Sequence, residues 1–309
     1  MMLKYHLYLG LLLCLSCKQN TDETLSVCFT GDLLLDRGVR KQIDRHGVDA
    51  LFSDVAKLFH QSDAVVANLE CPVTTRYAPV NKRFVFRADP QWLSALKKAG
   101  ITHLLMANNH SYDQGRDGME DTYQALITNK LVPVGYGKNH VLACEPVIIS
   151  KGNLQVAIFN AVQMPLENFP FLPDQPCMCQ ATGDELASAI TKFKSNHPLV
   201  FVVVVLHWGA EYQPTPVPGQ VINATKMINA GADAIIGHHP HVVQSISYIK
   251  GKPVFYSLGN FVFDPLKPAA KEGLIVQLKF NRKKTTVVKF PISIENCRPI
   301  LKLPAGMAT

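Results

Sequence analysis

The sequence predicts an α/β fold in which strands and helices alternate along one domain. Short, nearly continuous runs of Val, Phe and Leu, such as residues 199–206, are typical of parallel strands that are covered on both faces. Amphipathic helical patterns stand between these runs. No internal repeat, low-complexity tract or linker interrupts residues 25–295. We therefore expect one α/β sandwich over residues 26–295, followed by a tail over 296–309.

The N-terminal segment differs in character from the rest of the chain. The apolar run Leu7–Leu15 is too short to span a bilayer and is typical of a secretory signal peptide. Cys17 follows a small residue after this run, which resembles a bacterial lipoprotein signal, although Cys14 stands where Leu is usual. We expect a signal over 1–17, lipidation of Cys17, a tether over 18–25, and an exported protein anchored to the membrane of the bacterial cell envelope.

Each expected element follows from its local pattern. Strands are expected where β-branched or aromatic runs lie between turn residues, at 26–30, 63–67, 101–107, 147–150, 154–161, 199–206, 233–237, 253–258, 274–280 and 285–294. Helices are expected where apolar residues recur at spacings of three and four, at 48–61, 89–100, 117–130, 183–196 and 218–231. The second of these helices has the clearest ends, since Asp89 can cap it, Pro90 suits its first turn and Gly100 follows it. A turn at 151–153 is expected to join two strands as a hairpin.

Composition argues against two kinds of site. The chain carries 31 basic and 24 acidic residues, a formal net charge of +7, which mildly favours acidic partners. It has no dense Lys/Arg stripe with interleaved aromatic residues, so we expect no nucleic-acid partner. No CxxC pair occurs outside the signal, which argues against a zinc-thiolate site. Cys177 and Cys179, in a Pro-rich loop, are compatible with a disulfide or with free thiols.

Polar side chains that can bind a ligand follow six of the predicted strands. In chain order they are Asp32 and Asp36; Asn68 and Glu70; Asn108, Asn109, His110 and Asp113; His207 and Glu211; His238, His239 and His241; Asn260 and Asp264. Each group alone has an ordinary explanation as a turn former, a helix cap or a packed histidine. Their recurrence at six equivalent places favours a site. Because ligands bind beyond the carboxyl ends of strands in open α/β sheets, we expect the six turns to meet at one crevice.

Oxygen and imidazole donors of this kind suit Zn²⁺, Mn²⁺ or Fe at a hydrolytic centre. We expect His239 and His241 to be metal ligands, because an extended H-x-H turn would place both rings on one side. His238 would then point away or toward the substrate.

The remaining groups are expected to move protons or to complete the metal shell. The expected catalytic groups are His110, His207, Asp113 and Glu211. Of His110 and His207, one would be a metal ligand and the other an acid, in either order. The Asp113 carboxylate would orient an imidazole by accepting its second N–H.

Seven sequence blocks carry a resemblance to a known family. They are GDLLLDR, NLECPVT, KRFVFRADP, ANNHSYDQG, HWGAEYQPTP, GADAIIGHHPHVVQ and YSLGNFVFD. Together they resemble the CapA family, named for bacterial poly-γ-glutamate capsule synthesis, from about Ser26 to Lys279. The resemblance implies a calcineurin-like metallophosphoesterase fold, a four-layer αββα sandwich with two sheets between helical layers. It also implies a divalent metal ion, an acidic polymer such as poly-γ-glutamate, and a membrane polymer synthase as a candidate partner.

By position, the resemblance implies metal-site blocks at Asp32, Glu70, Asn109, His110, His207, His239 and His241. The sequence departs from the phosphoesterase pattern in three blocks. Leu34 replaces the first histidine of D-x-H, residues 68–70 replace G-D-x-x-D, and residues 108–111 replace G-N-H-D/E. A single metal ion or an altered pair is therefore at least as well supported as a full two-metal centre.

A basic segment, NKRFVFRADP at 81–90, offers positive charge to a substrate. Arg83, Val85 and Arg87 would share one face of an extended run, and a guanidinium suits a carboxylate or a phosphate. A solvated edge strand is the alternative. The expected substrate-binding residues are Arg83, Arg87, Asn68, Asn260 and His238.

Three functions remain open at the level of the sequence. The first is an exported metal-dependent hydrolase or transferase that acts on an acidic peptide polymer or a phosphoester. The second is a non-catalytic protein that holds the polymer or its synthase, which the leucine at position 34 favours. The third is a peptide epimerase in which Glu70 and His207 act as acid and base.

Overall fold

Two β-sheets pack face to face between layers of helices. The computed structural model describes residues 23–167, 169–282 and 284–302, so the expected signal, with Cys14 and Cys17, lies outside the described residues. The strands are β1 Leu25–Leu33, β2 Ala64–Leu69, β3 His103–Leu105, β4 Val132–Val134, β5 Tyr136–Gly137, β6 Val147–Lys151, β7 Leu154–Val162, β8 Cys177–Met178, β9 Phe201–His207, β10 Ala234–His238, β11 Ile246–Ile249, β12 Lys252–Phe255, β13 Asn260–Val262, β14 Glu272–Phe280, β15 Thr285–Glu295 and β16 Arg298–Leu301. The helices are α1 Arg37–His46, α2 Ala56–His60, α3 Leu93–Lys98, α4 Gly115–Thr128, α5 His140–Ala143, α6 Gly183–Asn196 and α7 Pro218–Asn229, with short 3₁₀ turns at Val48–Phe52, Pro90–Trp92 and Pro268–Lys271. No helix in this part of the chain is long and apolar enough to cross a membrane.

Both sheets have parallel centres and antiparallel edges. The first sheet runs β16-β15-β14-β1-β2-β3-β4, with β13 also paired to β1. Its strands β1 to β4 are parallel, whereas β14, β15 and β16 are antiparallel neighbours. The second sheet runs β11-β12-β10-β9-β7-β6, with parallel pairs at its centre. This arrangement sends the carboxyl ends of the central strands of each sheet to one edge.

Three apolar clusters hold the layers together. The cluster between the sheets includes Phe29, Val66, Val205, Ile236 and Phe255, none more than 1% exposed. The helices α1 to α4 cover the outer face of the first sheet with Val39, Phe59, Leu96 and Met119. The helices α6 and α7 cover the outer face of the second sheet with Leu186, Ile190, Ala224 and Met227. The predicted four-layer αββα sandwich is therefore confirmed.

The local predictions succeed where a pattern is strong and uninterrupted. Helix α6 has the predicted bounds, and β6 and β7 form the predicted antiparallel hairpin. The continuous helix expected over 48–61 is wrong: a 3₁₀ turn is followed by the short α2. Between them, the Ser53 hydroxyl bonds to the Ala50 carbonyl and to the Asp54 carboxylate, which competes with helical hydrogen bonding.

The C-terminal region and the cysteines add detail that the sequence left open. Residues 298–301, which we placed in the tail, form β16 and pair with β15. Cys144, just after α5, forms a disulfide with Cys179, just after β8. Cys177 is a buried free thiol, so the two cysteines of the CMC segment have different states.

Candidate metal centre

The carboxyl ends of the two sheets bring most of the predicted polar residues into one cluster. Strand register makes neighbours of several: Asp32 lies opposite Asn68 and Asn260, and His207 lies opposite His238. The first sheet supplies the carboxylates and amides, and the second sheet supplies most of the imidazoles. The centre therefore depends on both sheets.

Asp32, at the end of β1, is fully buried and well supplied with donors. Its Oδ1 accepts a hydrogen bond from Asn68 Nδ2 at 2.8 Å, and its Oδ2 lies 3.3 Å from His241 Nδ1. Burial opposes ionisation, but the hydrogen bond and charge of His241 lower the pKa of Asp32. This side chain is therefore a carboxylate that points between the sheets.

Glu70, just after β2, is a fully buried carboxyl group whose two oxygens accept no hydrogen bond from any described residue. Three imidazole nitrogens surround its Oε1: Nε2 of His241 at 3.6 Å, of His207 at 3.9 Å and of His110 at 4.0 Å. Burial and the nearby Asp32 raise the pKa of Glu70 well above its usual range. A buried polar group without partners is rare and costly, and a cation bound to its oxygens would satisfy it.

His110 is held in one tautomer by a buried acid. Its Nδ1 donates to Asp113 Oδ2 at 2.8 Å, which leaves the Nε2 lone pair directed toward Glu70. Asp113 also accepts the Phe86 N–H at 2.7 Å and pairs with Lys82 Nζ at 2.6 Å. Burial lowers the pKa of His110, although the Asp113 hydrogen bond opposes that shift. The expected role of Asp113 as an orienting group agrees with these contacts.

The other imidazoles differ in charge preference. Burial and neighbouring histidines hold the pKa of His207 well below its usual range, and burial lowers the pKa of His239 to about 3. Burial alone would lower the pKa of His241 too, but Glu70 and Asp32 raise it to about 9. His207 Nε2 donates to Asn109 Oδ1 at 2.9 Å. Neutral imidazoles and a protonated one thus stand side by side.

The turn that carries His239 and His241 is not extended. Both residues have positive φ, 97° and 56°, a left-handed conformation that costs free energy outside glycine. Their rings nevertheless lie 6.0 Å apart, and the His239 ring is 4.9 Å from that of His207. The Nδ1 atom of His239 is buried and makes no hydrogen bond within the described residues. Both rings face the cluster through a strained turn rather than a strand-like one.

Three residues that we expected to bind substrate have internal partners instead. His238 is 1% exposed, and its Nε2 donates to the Thr30 carbonyl at 2.8 Å. Asn260 is buried and accepts from His241 Nδ1 at 3.0 Å, so it orients that ring. Asn68 is buried and joins Asp32 to His207. In this structure each of the three is buried and hydrogen-bonded to its neighbours, and a role in binding substrate stays a prediction.

The substrate-binding role expected of Arg83 and Arg87 stays a prediction. Residues 81–87 are irregular rather than a strand. The Arg83 guanidinium is exposed and lies over the Phe84 ring, 5.1 Å from its centroid. Arg87 donates to the carbonyls of Thr75 and Arg76. The cation of this segment that contacts the centre is Lys82, which pairs with Asp113 and which the period-two pattern does not indicate.

Two further positions mark the limits of the centre. Glu211 is exposed, and its negative charge acts on both His241 and Glu70. Leu34 is fully buried in the apolar cluster beneath the helices, so hydrocarbon fills the place of the phosphoesterase histidine.

The donors that fit a divalent cation best are Asp32, Glu70 and His241, whose ligand atoms all lie within 4.8 Å of one another. Carboxylate and imidazole ligands of this kind suit Zn²⁺, Mn²⁺ or Fe²⁺. The unpartnered oxygens of Glu70 and the unpartnered Nδ1 of His239 support the same fit. A second group, His140 with Cys144 and Cys179, has its two sulfurs joined in the disulfide.

Comparison with known proteins agrees with this geometry. A family model described as bacterial capsule synthesis protein PGA_cap matches residues 26–265. The capsule biosynthesis protein CapA of Bacillus anthracis is 34% identical over 291 residues, covering 91% of this chain and 70% of that protein. The PGA biosynthesis protein CapA of Bacillus subtilis (strain 168) is 33% identical over 288 residues, covering 91% and 75%. The calcineurin-like phosphoesterase YfkN of Bacillus subtilis has a TM-score of 0.50 at 15% identity, covering 86% of this chain and 90% of that one, which shows the fold.

Proposed function

Because the chain belongs to the bacterial capsule synthesis protein family PGA_cap, we propose that it acts in the synthesis of poly-γ-glutamate or a related envelope polymer. Its two CapA relatives are named for capsule and PGA biosynthesis. Within that process, we assign it the role of a metal-dependent hydrolase or transferase on an acidic peptide polymer or a phosphoester. The observation that carries this assignment is the buried, unpartnered carboxylate of Glu70 among three imidazoles.

The residues of the centre divide into cation ligands and proton carriers. Asp32, Glu70 and His241 would hold the divalent ion, which supplies Lewis acidity to a substrate oxygen. His110 is poised to accept a proton at Nε2, because Asp113 fixes its tautomer and stabilises the imidazolium that forms. Lys82 pairs with the other oxygen of Asp113 and helps to fix its position.

The metal content of the purified protein tests this assignment. We expect one or two tightly bound transition-metal ions by inductively coupled plasma mass spectrometry after incubation with Mn²⁺ or Zn²⁺, and loss of at least one in Glu70→Gln. The matched control is Asp233→Asn, a buried carboxyl group that pairs with Lys252 far from the centre. Circular dichroism would check that both variants fold.

Hydrolysis assays then separate the substrate classes. The wild type, loaded with metal, would be offered a γ-linked glutamate polymer and the phosphodiester bis(p-nitrophenyl) phosphate. If the wild type hydrolyses either substrate and Glu70→Gln does not, the result supports an enzymatic function. Equal metal content in the wild type and in Glu70→Gln would contradict the metal centre itself.

The alternative function is a polymer-holding or synthase-holding protein without turnover. The specific observation in its favour is Leu34, which fills a ligand position of the phosphoesterase pattern with hydrocarbon. Binding of the polymer without hydrolysis in the metal-loaded protein would favour this alternative. The epimerase hypothesis has less support, because Glu70 Oε1 and His207 Nε2 are 3.9 Å apart and leave no room for a substrate carbon between them.

The place of action is part of the same proposal. The apolar N-terminal run and Cys17 support export and lipid anchoring next to a membrane polymer synthase. Expression in a bacterium followed by detergent phase separation tests this, since the wild type should enter the detergent phase and Cys17→Ala should not. Equal partitioning of the two proteins would refute the lipid anchor.

A further inference from the structure

Arg37 occupies an unusual position beside the metal centre. It is the first residue of α1, and its φ of 54° lies in the left-handed region, which costs a non-glycine residue about 1 kcal/mol or more. A glycine at this position would avoid the strain but would lose every contact of the guanidinium. Backbone strain of this kind clusters at functional sites, where the contacts of the side chain compensate for its cost.

The guanidinium lies between two aromatic rings that each pack on a histidine of the centre. Its Cζ is 5.0 Å from the Phe86 centroid and 5.2 Å from the Phe263 centroid. The Phe86 ring is 4.3 Å from the ring of His110, and the Phe263 ring is 4.8 Å from that of His241. Arg37 is thus separated from the cluster by one layer of aromatic side chains.

One edge of the guanidinium is fixed, and the other is available. Nε and Nη2 both donate to Asp264 Oδ1, at 3.0 and 2.5 Å, and Asp264 Oδ2 accepts the N–H of Gly38. Nη1 makes no hydrogen bond to any residue that the structure describes, and the side chain is 26% exposed. Because a guanidinium has five N–H donors in a planar fork, the edge formed by Nη1 and Nη2 can bind a second carboxylate with two parallel hydrogen bonds.

A second cation lies near the same histidine as Arg37. The Tyr212 ring lies 6.1 Å from that of His241, and Lys267 Nζ is 3.9 Å from its centroid. Lys267 and Arg37 thus each lie over an aromatic ring that neighbours His241.

We infer that Arg37 is the substrate-binding cation of this protein, and that it binds a carboxylate of the acidic polymer through its Nη1/Nη2 edge. This inference rests on the proposed function and deepens it. A γ-linked glutamate chain leaves a free α-carboxylate on every residue, so a carboxylate lies next to every amide bond that the centre could attack. Asp264 and the two phenylalanines hold the guanidinium in place, which reduces the entropy lost on binding.

Binding by isothermal titration calorimetry tests the assignment without requiring turnover. The probes are a γ-linked glutamate oligomer, the same oligomer with its α-carboxylates amidated, and bis(p-nitrophenyl) phosphate. We expect the wild type to prefer the carboxylate form, and Arg37→Gln to bind it roughly 10- to 100-fold more weakly and to lose the preference. Arg37→Lys, which keeps the charge without the fork, should recover part of the affinity.

Two matched variants separate recognition from folding. Arg40→Gln removes an arginine three residues along the same helix that also pairs with an aspartate and lies over an aromatic ring, but whose Nε and Nη2 bond to Asp36 and the Arg87 carbonyl. It should bind as the wild type does. Asp264→Asn weakens the support of Arg37 but keeps the cation, so it should retain the preference with a smaller loss.

The outcomes distinguish a failure of the role assigned to Arg37 from a failure of the proposed polymer function. Retained preference in a folded Arg37→Gln protein would overturn the role of Arg37 while leaving the polymer function intact. A wild type that binds neither oligomer would contradict the acidic polymer as substrate. Binding of the phosphodiester alone, weakened by Arg37→Gln, would show that the cation takes a phosphate and would overturn the carboxylate assignment.

Discussion

Lys82 and Arg83 are neighbours in the chain with opposite environments. The Lys82 side chain is 6% exposed, and its ammonium group pairs with Asp113 and donates a hydrogen bond to the Asn109 carbonyl. The Arg83 side chain is exposed. We expect Lys82→Met to lower the free energy of unfolding by about 3–5 kcal/mol, because it leaves the buried Asp113 carboxylate without its cation. Arg83→Met should change it by no more than about 0.5 kcal/mol. Urea denaturation followed by tryptophan fluorescence compares the pair, and equal midpoints would show that the buried ion pair contributes little.

The residues of the centre were predictable to different degrees, for physical reasons. Asp32, Glu70 and His207 could be found because each follows a buried strand, and parallel strands end at a common edge. Lys82 could not, since it lies in an irregular segment whose path depends on Asp113 and Phe86 rather than on any periodicity. Arg37 was missed because its position depends on Asp264, which is 227 residues away.

At the scale of elements, the small β5–β8 ribbon and α5 depend on a covalent link. The Cys144–Cys179 disulfide joins them across 35 residues. We expect the Cys144→Ser/Cys179→Ser protein to lose roughly 4 kcal/mol of unfolding free energy, because the unfolded chain regains the entropy of a loop of that length. Thermal and urea melts measure the loss.

A thiol count supplies the control for that prediction. In denaturant without reductant, the cysteines of the pair should not react with a thiol reagent, whereas Cys28, Cys71, Cys177 and Cys297 should. If all of them react, the disulfide is absent in solution and the predicted loss of stability does not apply. Sequence could not choose between the states of Cys177 and Cys179, because the partner of Cys179 comes from a separate element.

The elements themselves were predictable wherever one pattern ran without interruption. Helix α6 has a capping box in which Thr182 and Glu185 exchange hydrogen bonds, and its predicted bounds are the observed ones. The pattern over 48–61 was equally amphipathic but contained Ser53 and Asp54, whose local hydrogen bonds interrupt the helix. Strand β16 was missed because its pairing with β15 is a tertiary contact rather than a periodicity.

At the scale of the whole molecule, the centre couples the two sheets. Its carboxylates come from the first sheet and most of its imidazoles from the second. A cation that binds only the folded state should therefore stabilise the molecule, by about 2.7 kcal/mol at a concentration 100 times the dissociation constant. We expect Mn²⁺ or Zn²⁺ to raise the melting temperature of the wild type but not of Glu70→Gln. An equal rise in both proteins would locate the stabilising ion elsewhere.

The stability of the chelated protein should depend on pH with a definite sign. The pKa of His241 rises to about 9 in the folded state, so its contribution is complete below about 6.5, the ordinary value, and is lost as pH rises through 9. Glu70, whose pKa is also raised, acts in the same direction. In EDTA, the melting temperature of the wild type should fall between about pH 7.5 and 9, above the range in which the histidines with a lowered pKa titrate in the unfolded chain. Glu70→Gln should flatten the curve, since it removes the main charge that raises the pKa of His241.

The split of the donors between two sheets has a consequence for how the protein acquires its ion. Asp32 and the His239 amide, which meet in the folded centre, are 207 residues apart in sequence. Before the chain has folded, its carboxylates and imidazoles are scattered and form no chelating set. Since the choice among similar divalent ions depends on which of them is available, the ion would be selected in the compartment where folding finishes. A protein that crosses a membrane unfolded would thus be loaded from the pool on the far side.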